Sequence, residues 1–351
     1  MRRAGAIAAI VTSSVAGAAA ARQSYKLLRA NPPGGRKTWT RTNHRGEPIT
    51  LLEGPAVVIG GAASALANAA GPREQIALIV AGVGAGGFGA YDDLAGDGGS
   101  RGFRGHIGAL RNGHLTTGAV KLVGIGATGL VAAALAASKS QSDRSGGDGS
   151  RSPVMAAADL VINTGLIAGG ANLLNLFDLR PGRAIKVAIG AGGMLTLAGD
   201  GGATAAGPLA AAIALLPEDL GERSMLGDAG ANALGAMLGV AAASSLSRRS
   251  RLAALIVIVG LTAASEVVSF TEVIDQTGPL RWLDMLGRRP VSAEGSAGSQ
   301  VKGSAPAATA ASNGATATDD APEGQTEAAA ESPAAAHDAK AATASDSAEA
   351  R

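Results

Sequence analysis

Apolar runs separated by short polar connections occupy most of the chain. A membrane helix needs roughly 17–25 mostly apolar residues. Runs close to that length lie at 4–21, 53–70, 75–91, 118–137, 153–171, 184–199, 203–217, 228–246 and 251–270. The runs at 184–199 and 203–217 are short and Gly-rich, so either reads as a broken or tilted helix, and the expected count is nine to ten spans. Met1-Arg2-Arg3 before an Ala-rich run imitates a signal peptide, but the strongly basic loop that follows favours a retained anchor. The pattern predicts an all-α, polytopic membrane helix bundle over residues 1–290.

Composition points the same way. Of 351 residues, 46% are hydrophobic and 17% charged, with a mean hydropathy of +0.21, too few charges for two soluble domains of ordinary surface. There are 52 glycines against four Phe, two Tyr and two Trp, so the helices must pack through small residues that allow close approach. Cysteine is absent, which excludes disulfides and thiolate metal sites, and the four histidines are scattered. Residues 291–351 differ in kind. They hold nine acidic and three basic groups in an Ala/Ser/Gly/Pro/Thr mixture almost without large apolar residues, so this acidic tail is expected to be disordered.

Removing the tail leaves residues 1–290 with 27 basic and 19 acidic groups, and their distribution predicts orientation. With the N-terminus outside, the inside loops carry 17 Lys and Arg and the outside segments nine. The tail is then cytoplasmic in a multi-pass plasma-membrane protein. Arg248, Arg249 and Arg251 run against the bias, since this topology puts them outside.

The same topology gathers the unusual polar clusters on the cytoplasmic side. Tyr91-Asp92-Asp93 closes the third run, NLLNLFDLRPGR at 172–183 closes the fifth, and MLGDAGANALG at 225–235 opens the eighth. Acidic groups at a membrane boundary are costly and repel one another; a divalent cation relieves both, and hard oxygen donors suit Mg²⁺. Each cluster also has a simpler reading. Asp92-Asp93 fits a solvated helix end, Asn172, Asn175 and Asp178 fit interhelical hydrogen bonds on one helical face, and Asp228 fits an N-cap.

Taken together, Asp-Asp at a helix end, then Asn-x-x-Asn-x-x-Asp, then Gly-Asp-Ala-Gly resembles the polyprenyl-phosphate glycosyl-1-phosphate transferases, over about residues 40–290. Arg45-Gly46-Glu47-Pro48 is similar to the basic-Gly-x-Pro element of that family's first cytoplasmic loop. Lys121, in VKLVG, is placed like a lysine near its active site. The resemblance implies transfer of a sugar-1-phosphate from a UDP-sugar to a polyprenyl (undecaprenyl) phosphate for cell-envelope glycan assembly. It implies Mg²⁺ held by Asp228, with Asp92 and Asp93 orienting or deprotonating the lipid phosphate or completing the metal's outer shell. Asn172, Asn175 and Asp178 are then expected to line the nucleotide-sugar pocket, with Lys121 and Arg45 on substrate. Expected partners are the UDP-sugar, the polyprenyl phosphate and membrane lipid, with a homodimer possible and no nucleic acid.

The chain departs from the family pattern in several places. Pro181 stands where a second Asp is common, and Met225 where an aromatic precedes Gly-Asp. Arg281, Arg288 and Arg289 occupy the last loop in place of a histidine cluster, read either as diphosphate ligands or as positive-inside residues. These departures support an alternative, a non-catalytic relative acting as a scaffold or binding protein in envelope biogenesis. A secondary transporter is disfavoured because no internal repeat is found. Of the remaining polar groups, Asp159 is expected to make a buried interhelical hydrogen bond, Glu266 to sit at the cytoplasmic boundary, and His106 and His114 to be phosphate contacts or bystanders.

Overall fold

A computed structural model of the chain describes residues 2–68, 71–96, 116–136, 152–197 and 202–290, all within one unit, Met1–Val291. The acidic segment 291–351, His106 and His114 lie outside the described residues. The described chain is mostly helical, with twelve helices and one two-stranded sheet. In order these are α1 (Arg2–Ala30), α2 (Arg36–Trp39), β1 (Thr40–Thr42), β2 (Pro48–Thr50), α3 (Glu53–Leu66), α4 (Pro72–Ala95), α5 (Thr117–Ala136) and α6 (Pro153–Phe177). They continue with α7 (Arg183–Leu197), α8 (Gly202–Leu220), α9 (Gly227–Ser245), α10 (Arg248–Ser265), α11 (Phe270–Gln276) and α12 (Gly278–Met285).

Each of the nine apolar runs forms the body of one helix. Pro72 and Pro153 stand at helix starts, where a missing N–H costs nothing. Ser247 caps α10 by accepting from the Ser250 amide. Three helices, Ala4–Ala30 of α1, α5 and α6, are individually long and apolar enough to cross a membrane; α10 with α11, bent by 94° at the break between them, makes a fourth. The others fall short for local reasons. α3 and α7 have 14 and 15 residues, and α9 is built largely of Gly and Ala.

α9 sits at the centre. From Gly227 to Ala243 every residue except Asp228 is buried, enclosed by α3, α4, α6 and α8. A helix crowded by four neighbours approaches them closely through small residues, and it keeps bulk where a core has room for it, as at Leu234 and Met237. Two cores flank it: Leu209, Leu215, Leu234 and Ile185 on one side, and Leu78, Ala81, Ala85, Ile167 and Met237 on the other.

Departures from the expected pattern cluster at the helix ends. α1 continues to Ala30, beyond the run ending at 21, because Ala21 and Tyr25 keep a buried face. Within the expected loop 22–52, β1 and β2 pair antiparallel, Arg41 opposite Ile49. The Asn43 side chain closes their turn by accepting from the Arg45 and Glu47 amides, each at 2.9 Å. Thr50 then bridges to Ser224, which ties the hairpin to the α8–α9 connection. Asp159 makes ion pairs as well as being buried: Arg248 Nε lies 3.0 Å and Arg251 Nη2 3.4 Å from its Oδ1. Arg251 also donates to Asn163 Oδ1 at 2.6 Å. These arginines hold α10 on α6, which gives Arg248 and Arg251 a packing reason to be where the charge bias disfavours them. Glu266, at the end of α10, is exposed.

Candidate active site

Three helices far apart in sequence meet at one polar cluster. The last turns of α4 bring Asp92 and Asp93, the first turns of α5 bring Lys121, and the first turn of α9 brings Asp228. Lys121 Nζ lies 2.7 Å from Asp92 Oδ2 and also pairs with Asp228 Oδ2. The Asp92 and Asp228 carboxyls thus meet around one ammonium, and Asp92 also accepts from Thr117. Burial raises Asp92, but the bonds from Lys121 and Thr117 outweigh it and hold the carboxyl below its ordinary range. The two carboxyls and the ammonium meet at one point, each less than a third exposed.

Asp93 has a different task. Its Oδ1 accepts from the Asp228 amide at 3.1 Å and its Oδ2 from the Ala229 amide at 2.9 Å. The residue before α9, Leu226, makes no side-chain cap, so Asp93 supplies one from another helix, and its charge suits the positive end of the α9 dipole. Burial first, and the neighbouring Asp228 charge second, push Asp93 up to about 7 in spite of those bonds. Arg41 of β1 donates to the Asp93 carbonyl and anchors the helix end. The approach depends on two glycines. A Cβ on Gly89 would stand 2.8 Å from the Ala229 nitrogen, and Gly227 takes φ +61°, which L side chains rarely adopt.

Behind Gly227 lies a cavity of about 200 Å³, lined among others by Asn43, His44, Asp178, Asp219, Glu222 and Met225. Asp178 is 7% exposed and accepts from the Gly227 amide, so it touches the segment that carries Asp228. Burial, then the charges of Asp219, Asp228 and Asp93, raise Asp178 well above the carboxylate range. Asp219 is 1% exposed; burial pushes it to about 7, although it accepts from the Gly182 amide and faces Lys186 and Arg288. His44 is held below its ordinary value by burial and then by Arg180. The polar lining thus mixes three carboxyls, Asp178, Asp219 and Glu222, with Arg180, His44 and neutral groups, and burial favours the protonated form of Asp178 and Asp219.

No family model matches the chain, and no curated protein matches it either.

Of the residues singled out in the sequence, Asp92, Asp93, Lys121 and Asp228 come together, and Asp178 adjoins them through Gly227. Asn172 and Asn175 share the α6 face of Ala168, against which Gly129 of α5 packs, one and two turns nearer the Lys121 end. Arg45 stands apart from the cluster. Its Nε lies 2.9 Å from Glu222 Oε1, and its Nη atoms donate to the Pro290 and Arg289 carbonyls, so it ties the hairpin to the end of the bundle. Arg288 and Arg289 are likewise engaged, Arg288 with Asp284 at 2.7 Å and Arg289 with Glu47 at 2.6 Å. Asp219 and Glu222 join the site without being singled out by the sequence pattern. Their only sequence signal is PEDLGER, a charged string directly after an apolar run.

Among the described residues no three His, Cys, Asp or Glu side chains are grouped as a metal cage. The Asp92–Asp228 pair offers the smaller donor set, one or two carboxylates, that Mg²⁺ takes when phosphates complete its shell. A third feature is apolar. A groove of about 440 Å³ between α6, α7, α9 and α10 runs past Leu166, Gly170, Phe177, Leu195 and Ile258 and has one end at Phe177, beside Asp178.

Proposed function

We propose that the chain is an integral membrane transferase of the polyprenyl-phosphate glycosyl-1-phosphate type. On this reading it has nine to ten transmembrane helices, and its polar cluster faces the cytoplasm. The observation that carries the proposal is the meeting of Asp92, Lys121 and Asp228 from three helices, with Asp93 fixing the helix that bears Asp228. A phosphate oxygen of the polyprenyl phosphate attacks the β-phosphorus of the UDP-sugar. The new P–O bond forms as the bond to the bridging oxygen breaks, and UMP leaves with that oxygen.

The residues divide the work. Lys121 neutralises a phosphate, and Asp228 with Asp92 would hold Mg²⁺, whose contribution is further charge neutralisation on the phosphates. Asp92, the more accessible of the Asp92-Asp93 pair, orients the attacking phosphate, and Asp93 acts as a positioning residue. Asp178 supports the nucleotide side, next to the cavity. The apolar groove ending at Phe177 suits a polyprenyl chain lying in the membrane. The scaffold alternative draws on Arg45, Arg288 and Arg289, which are spent on internal contacts rather than held free for a diphosphate.

The test is UMP release by the purified full chain with undecaprenyl phosphate, Mg²⁺ and a panel of UDP-sugars. Turnover is expected with at least one donor, falling by roughly 100-fold or more in Asp228→Asn and Asp92→Asn. Turnover unaffected by either substitution removes the site assignment. Absence of turnover with every donor favours the scaffold.

A further inference from the structure

The small hairpin separates two cavities. On one face is the cavity described above, where Asp178, Asp219 and Glu222 stand with Arg180 and His44. On the other is a second cavity of about 320 Å³, lined by Arg29, Arg36 and Arg223 together with Pro32, Thr40 and Thr50. Ile49 of β2 borders both, and the neighbours Glu222 and Arg223 line opposite ones.

The three arginines come from separate elements: the last turn of α1, the start of α2 and the α8–α9 connection. Two of them are held in place. Arg223 Nε lies 2.7 Å from Glu218 Oε2 and its Nη2 donates to the Pro217 carbonyl at 3.0 Å. Arg29 stacks over the Tyr25 ring at 5.6 Å, with its Nη1 3.9 Å from the same Glu218 oxygen. Arg36 has no ion-pair partner among the described residues. One carboxylate against three guanidiniums leaves the group with a net charge of about +2. Basic residues at the end of a span are expected on the cytoplasmic side whatever they do. A cavity between three of them, with one left unpaired, is not part of that expectation.

From this we infer that the cavity is a second anion site, separate from the Asp92–Lys121–Asp228 cluster, that takes a phosphate-bearing group. Guanidinium forks match phosphate oxygens two at a time, and three forks from different elements can engage the several oxygens of one phosphate group. The cavity opens where Ala4–Ala30, a helix able to cross a membrane, ends. A phosphate can reach that position as an anionic lipid headgroup or as a free phosphate ion.

The experiment uses the full chain with either source. In one arm, protein in nanodiscs of phosphatidylcholine is titrated with phosphatidylglycerol, and retained lipid is counted by native mass spectrometry. In the other, the protein in uncharged detergent is titrated with inorganic phosphate, and binding is read by thermal shift. The variants are Arg36→Gln with Arg223→Gln, and Arg249→Gln as an exposed control at a different helix end. Wild type and the control are expected to bind alike, and the double variant roughly 30-fold more weakly. Binding in the first arm alone identifies a lipid headgroup, and binding in the second identifies phosphate itself. Equal binding by wild type and the double variant overturns the inference, as does an equal loss in the control or no binding in either arm. Arg36→Gln alone, which removes no internal ion pair, repeats the test if the double variant misfolds.

Discussion

Replacing Asp219 by Asn should make the protein more stable at pH 8 and change little at pH 4.5. The carboxyl sits beside Asp178 and Glu222, is 1% exposed, and is pushed from an ordinary value of 3.8 to about 7. That difference of about three pH units corresponds to roughly 4 kcal/mol for ionising it in the folded protein. Between those values the native state holds a proton that the unfolded chain has released, so stability is greatest below about pH 4 and falls as pH rises through 7. The steepest fall from this one group is about 1.4 kcal/mol per pH unit. The amide cannot ionise, yet its carbonyl still accepts from the Gly182 amide, so the difference between variant and wild type should open over this window. Asp93 and Asp178 are raised as well, so the variant keeps a smaller slope of its own. The assay is thermal unfolding in detergent at half-unit steps from pH 4.5 to 8. A difference between the two proteins that stays constant across the range refutes the reasoning.

Gly89→Ala should destabilise by about 1–3 kcal/mol, since its Cβ would stand 2.8 Å from the Ala229 nitrogen. Gly87→Ala on the same helix, with nothing within 4 Å, should be neutral or stabilise by about 0.5–1 kcal/mol; thermal unfolding of both variants checks the contrast. Arg251→Met removes a 3% exposed partner of Asp159 and Asn163, and an unfolding loss of about 3 kcal/mol is expected. Asp284→Asn weakens the buried pairing of Arg183, at 2.7 and 3.1 Å, that fastens α12 to α7. Limited proteolysis should then cut within residues 266–290 several-fold faster, while the rest of the bundle resists as in the wild type.

The helices were legible because each apolar run had to satisfy its backbone internally, which in practice means a helix. The cluster was legible because Asp92-Asp93, Lys121 and Asp228 are conspicuous polar interruptions at the edges of such runs. What local pattern could not reveal was the difference between Asp92 and Asp93. One pairs with Lys121 and its neighbour caps α9, and only the placement of the partner helices decides which. Asp219 and Glu222 could not be singled out, because burial by a hairpin almost 180 residues earlier leaves no mark on PEDLGER. Arg45 was read as a substrate contact from its Gly-Glu-Pro context, whereas Glu222 and the Arg289 and Pro290 carbonyls claim it. The expected loops at 22–52 and 271–290 contain a hairpin and two short helices, whose alternation is too brief to stand out beside the long runs.

The enclosure of α9 also bears on how the protein is made. The helices around it, α3, α4, α6 and α8, all precede it in the chain, so a ribosome delivers Asp228 only after they have been synthesised. The polar cluster is therefore completed only when α9 packs into the slot its predecessors leave open, and a defect in seating α9 leaves the surrounding helices made but Asp228 away from Asp92 and Lys121.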